Sequence, residues 1–111
     1  MKLIKRGEGE PYEAKGHFNC WNARKLAPDK DTKRLLIAIS HFLPNGGAEM
    51  SSSPGERVYF VIAGSIKIKG KGEEHLLEAG DLIYIAPDEE RDIQVHGTEP
   101  ATILVAMTKA D

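Results

Sequence analysis

Short apolar segments follow one another along almost the whole chain, each closed by a glycine or proline. No window of eleven or more residues carries apolar positions at helical spacing without such an interruption. A chain built this way cannot form long helices, so the pattern predicts an all-β fold. The expected strands are residues 2–6, 17–26, 34–43, 57–63, 65–69, 73–77, 81–86, 91–96 and 101–107. Turn signals lie between them, including Pro44-Asn45-Gly46-Gly47, Ser53-Pro54-Gly55, Gly70-Lys71-Gly72, Ala79-Gly80 and Gly97-Thr98-Glu99-Pro100. Many short strands at this spacing imply a sandwich or a barrel. Residues 1–28 are more polar and less regular, and read as an N-terminal arm or accessory strands that could cross a neighbouring subunit.

The 111 residues suit one domain with one hydrophobic core. With 15 basic and 17 acidic residues scattered through the chain, the formal charge of -2 makes no basic footprint for nucleic acid. The longest apolar runs, residues 35–39 and 58–63, fall far short of the ~20 needed to span a bilayer, and no apolar signal segment follows Met1. A cytoplasmic protein with no nucleic-acid or membrane partner is the expectation. Cys20 is the single cysteine, which excludes an internal disulfide and a cysteine-only zinc site within the chain. Nothing near it in the strand pattern lowers its pKa, so it reads as a bystander. Trp21 and Tyr84 read as packing residues, and His75 and His96 as surface residues.

Side-chain alternation assigns faces to several strands. Arg91, Ile93 and Val95 share one face, so Arg91 falls on the apolar side. His41 is in step with Leu35, Ile37 and Ile39, which predicts an interior position for its imidazole. The run Val58-Tyr59-Phe60-Val61-Ile62 is apolar on both faces and leaves the directions of Arg57 and Tyr59 open.

Two segments, residues 44–64 and 80–91, resemble the paired signatures of the cupin superfamily. The first runs from Pro44-Asn45-Gly46-Gly47 through Ser51, Ser53 and Arg57 to Gly64; the second runs from Gly80-Asp81 through an apolar strand to Pro87 and Arg91. The resemblance covers residues 34–107 and implies an antiparallel jelly-roll (cupin) barrel there, within a single domain of residues 1–111. In metal-binding cupins, three histidines and a glutamate of these signatures converge on a divalent metal. Laid onto this chain, those positions are Ser51, Ser53, Arg57 and Arg91. Serine hydroxyls are poor ligands for transition metals, and a guanidinium offers no lone pair.

The resemblance therefore implies a barrel with no metal cofactor and with two fixed cations at its centre. Two such charges ~6 Å apart at an effective dielectric near 20 repel by roughly 3 kcal/mol, and a carboxylate, sugar acid or phosphate would relieve the repulsion through bidentate bonds. In this reading Arg57, Arg91, Ser51 and Ser53 bind the ligand, while His41 and Tyr59 move protons in isomerase, epimerase or lyase chemistry. A non-catalytic ligand-sensing module is the alternative. A metal-dependent oxygenase or isomerase with rearranged ligands, using Glu56 or Glu49 with His41, is another. Arg57 could also be a structural partner of Glu49, Glu56, Glu89 or Glu90 at the barrel mouth. Cupins of this size resemble one another in forming homodimers, which places residues 2–26 in a subunit contact.

Overall fold

The computed structural model describes residues 1–109. Its strands are β1 (Glu10–Tyr12), β2 (His17–Leu26), β3 (Leu35–Ser51), β4 (Arg57–Ala63), β5 (Ser65–Gly70), β6 (Glu73–Glu78), β7 (Leu82–Ile85), β8 (Arg91–Val95) and β9 (Ala101–Thr108), and every ladder between them is antiparallel. The architecture is all-β, a nearly closed antiparallel barrel of jelly-roll type. Among the described residues no helix is long and apolar enough to cross a membrane.

Strand β3 organises the barrel because its 17 residues serve two sheets in turn. Residues 35–42 pair with β9, and β9 leads on through β4 to β7. Beyond Asn45, which takes φ 68°, the same strand pairs with β8, and β8 leads through β5 to β6. Strand β2 runs along β3 of its own chain, with β1 on its far side over residues 22–24. The core lies between the two sheets and includes Phe42, Val61, Ile66 and Ile103, each under 2% exposed.

Two expectations about the chain's course are corrected. Residues 44–47 are not a turn but the bend within β3. Glycine is required there by close approach: a Cβ on Gly47 would lie 2.1 Å from the Ile93 carbonyl oxygen on β8. Residues 2–6 form no strand. The Lys25 ammonium donates to the carbonyls of Arg6 and Glu8, and Glu8 N–H donates to Lys5 C=O, so this segment closes into a turn instead of extending.

Candidate functional site

Between the sheets lies a chamber of about 270 Å³ whose polar wall is Tyr12, His17, Arg24, Ser40, Arg57 and Tyr59, with Ile93, Ile103 and Val105 among its apolar residues. Alternation along each strand puts them there. On β4, Arg57, Tyr59 and Val61 face inward while Val58, Phe60 and Ile62 face out; Tyr59 is 3% exposed and Val61 is fully buried. This answers the question that the doubly apolar run left open.

Arg57 and Arg91 converge on one neutral oxygen. Arg91, 7% exposed, donates Nε–H to the Tyr59 hydroxyl at 3.3 Å and an Nη1 hydrogen to the Ser51 carbonyl at 2.8 Å. Arg57 donates from Nη1 to the same hydroxyl at 3.5 Å and from Nη2 to Ser53 Oγ. Ser53 thus joins the cluster through its side chain, whereas Ser51 is exposed and contributes its backbone. The expected structural pairing of Arg57 with an acid is not present: Glu56 accepts from Tyr84 and Glu89 from the Ala86 N–H. Among the described residues, no ion pair joins Arg24, Arg57 or Arg91 to a carboxylate. Tyr59→Phe is expected to leave two guanidiniums without their shared acceptor and to cost about 1–3 kcal/mol, read by chemical denaturation.

His41 is not in the chamber. The inward face of β3 takes Leu36, Ala38, Ser40 and Phe42, and His41 lies exposed on the outer face, bonded through Nδ1 to Thr102 Oγ1 at 3.0 Å and stacked on Trp21. The periodicity misled because the outer face is itself apolar, so Leu35, Ile37 and Ile39 mark the outside of the barrel. Replacing His41 with alanine is accordingly expected to leave ligand-induced shifts in melting temperature unchanged.

The imidazole in the chamber is His17, half-buried and stacked on Phe42. Its Nδ1 lies 3.1 Å from the Lys15 carbonyl oxygen. A carbonyl can only accept, so Nδ1 carries a hydrogen, and in the neutral ring the lone pair is then on Nε2. Opposite it, the Arg24 guanidinium sits 4.6 Å above the Tyr12 ring. Burial raises the Tyr12 pKa, keeping it a phenol at neutral pH, and raises that of Cys20, which keeps the thiol protonated and poorly nucleophilic. Nε of both Arg24 and Arg57 is buried and has no hydrogen-bond partner among the described residues. The sequence reading missed Tyr12, His17, Arg24 and Ser40. The available signal was the alternation Asn22 and Arg24 against Trp21 and Ala23, which reads as a solvent face only if the interior is assumed to be apolar.

A family model, the Cupin domain, matches residues 38–107. The chain belongs to the cupin family. This cupin is 28% identical over 108 residues to the β-D-galactosidase Rv1717 of Mycobacterium tuberculosis, covering 96% of this chain and 93% of that one. Its fold superposes on the polyketide cyclase RemF from Streptomyces resistomycificus with a TM-score of 0.84 at 17% identity, covering 97% of this chain and 79% of that one. On KdgF from Halomonas sp. the TM-score is 0.82 at 10% identity, covering 99% and 96%. At these identities the superpositions establish the fold alone.

The residues of this cupin do not fit the divalent metal that the family implies. The positions concerned hold two serines and two arginines, and the arginines present N–H donors and positive charge toward Tyr59. Among the described residues no group of three or more His, Cys, Asp or Glu is placed to hold a metal ion.

Proposed function

We propose that this protein is a metal-independent cupin that holds a small polar anion, a carboxylate, sugar acid or phosphate, in its chamber and moves a proton on it. The observation that carries the reading is that two guanidiniums of the chamber wall, Arg24 and Arg57, make no ion pair with a carboxylate among the described residues and keep a buried Nε with no partner there. A buried charge without a counter-ion is costly, and an entering anion supplies the missing charge and the missing acceptors together. Arg57 and Arg24 bind the anion at the chamber wall. Arg91, more deeply buried, keeps Tyr59 and Ser51 in place and adds to the positive potential.

Proton transfer falls to His17 and Tyr59. With the acid on Arg57, the C–H bond next to the carboxylate breaks, the proton passes to His17 Nε2, and the electron pair delocalises onto oxygens facing the guanidiniums. Return of a proton to the opposite face gives an epimer; departure of a β-substituent gives an elimination product. The name of the M. tuberculosis relative favours a saccharide derivative. Galactoside hydrolysis by the usual pair of carboxylates is not supported, because among the described residues no Asp or Glu lines the chamber.

Incubation with hexuronates in D₂O separates catalysis from simple binding. Deuterium is expected at the carbon next to the carboxylate with wild type and not with His17→Gln. Arg57-dependent binding without any exchange would identify a binding module.

We also propose a homodimer. The outer face of β2, β3, β9, β4 and β7 exposes five large apolar side chains, Trp21, Phe60, Ile62, Leu82 and Tyr84, the kind of surface that marks an interaction site. Trp21 and Ala23 bring the N-terminal segment, residues 2–26, to its border. Sedimentation equilibrium is expected to give twice the chain mass; a monomer at micromolar concentration would contradict this.

A further inference from the structure

Next to the chamber lies a second, more open cavity, a groove of about 660 Å³ between residues 11–14 and the first half of β2. The two cavities share Tyr12, Ala14 and His17 in their linings, so they adjoin along these residues. Asn22 lines the groove and is 3% exposed. Its amide donates to Cys20 Sγ at 3.6 Å, while Oδ1 is buried and has no partner among the described residues. Such an orphan acceptor is destabilising unless something donates to it. Phe18, 43% exposed, supplies an apolar surface, and among the described residues the exposed Glu13 supplies the one carboxylate in the lining.

This groove is not built to take a β-strand. Strand β1 covers β2 only at residues 22–24, which leaves residues 17–21 without a neighbour on that side, but the ladder is broken there. A register shift lies between Phe18 and Cys20, and Asn19 takes φ 49°. A bulge of this kind bends an edge away from continuous pairing. A compact ligand fits better than a peptide.

We propose that the groove is a second subsite, which takes a neutral, hydroxylated ring attached to the acid held in the chamber. The inference rests on the anionic reading of the chamber and extends it from a single acid to an acid-bearing disaccharide. At about 270 Å³ the chamber is the size of one acidic ring and too small for two. Charge sets the orientation. Guanidiniums draw the carboxylate inward, and Glu13 repels a second acid from the groove while accepting bonds from hydroxyls. The apolar C–H face of the outer ring packs on Phe18, and one of its hydroxyls donates to Asn22 Oδ1.

Calorimetric titration of the full chain with D-glucuronate, with aldobiouronate (glucuronate joined to xylose) and with neutral cellobiose tests the proposal. Aldobiouronate is expected to bind about tenfold more tightly than glucuronate, and cellobiose not to bind. Phe18→Ala is expected to bring aldobiouronate within about twofold of glucuronate while leaving glucuronate affinity unchanged. Asn22→Ala should do the same, and because Asn22 is buried, the exposed Phe18 variant decides the matter if Asn22→Ala fails to fold. Equal binding of the two acids, each lost in Arg57→Ala, overturns the subsite and leaves the anionic chamber standing. Absence of Arg57-dependent glucuronate binding overturns both.

Discussion

In a thermal-shift screen of small carboxylates, sugar acids and phosphates, at least one acid is expected to raise the melting temperature of wild type by roughly 10–20 °C, and the same acid to leave Arg57→Ala unmoved. A ligand at 100 times its dissociation constant stabilises the folded state by about 2.7 kcal/mol, and for a domain of this size 1 kcal/mol corresponds to roughly 4–8 °C. Arg57 is the sensitive position because it is half-buried at the chamber wall, its Nε has no partner, and it belongs to no ion pair with an acid among the described residues. Removing it also takes away its hydrogen bonds to Tyr59 and Ser53, so the melting temperature of the free variant is the baseline and the ligand-induced shift is what separates an anion site from a scaffold. Arg24→Ala is expected to reduce the shift without abolishing it.

Gly47→Ala is expected to destabilise the barrel severely, by more than about 3 kcal/mol, seen as insoluble protein or as a sharply lower urea midpoint. The added Cβ would sit 2.1 Å from the Ile93 carbonyl oxygen, a backbone atom that cannot swing aside, and 3.1 Å from the carbonyl carbon. The clash falls where β3 crosses from one sheet to the other. There Gly47 pairs with Gln94 and Ala48 with Ile93, and a few residues on Ser51 pairs with Arg91. A variant that survives folding should therefore also bind anions poorly, because it disturbs the Arg91–Tyr59–Arg57 cluster. Normal stability in Gly47→Ala would mean that β3 and β8 are further apart than described.

These cases show what the linear order of residues can and cannot convey. Turn chemistry and period-2 alternation located the strands from residue 57 onward to within one or two residues, because each is short, locally patterned and closed by a residue with restricted or unusual dihedrals. The same logic failed at residues 44–47. A pair of glycines there signals either a reversal or a close approach of two backbones, and only the position of β8 decides between them. Arg91 was placed correctly because apolar Ile93 and half-buried Val95 share its face. His41 was misplaced because alternation identifies two faces without saying which one is inside, and the outer sheet of this barrel is apolar. Arg24 and His17 went unread for the converse reason: their face is polar and yet lines the interior. Polar lining residues become legible once the barrel is known to enclose charge, which is a property of the assembled strands and not of any one of them.

Anomalous scattering from crystals equilibrated in bromide addresses the central claim most directly, since it reports where a small anion rests without assuming a ligand. A bromide peak inside the barrel, within hydrogen-bonding reach of the Arg57 and Arg24 guanidiniums and absent from Arg57→Ala crystals, is the expected result. Bromide confined to the outer surface, or a bound transition metal at the barrel centre in protein as purified, would contradict it.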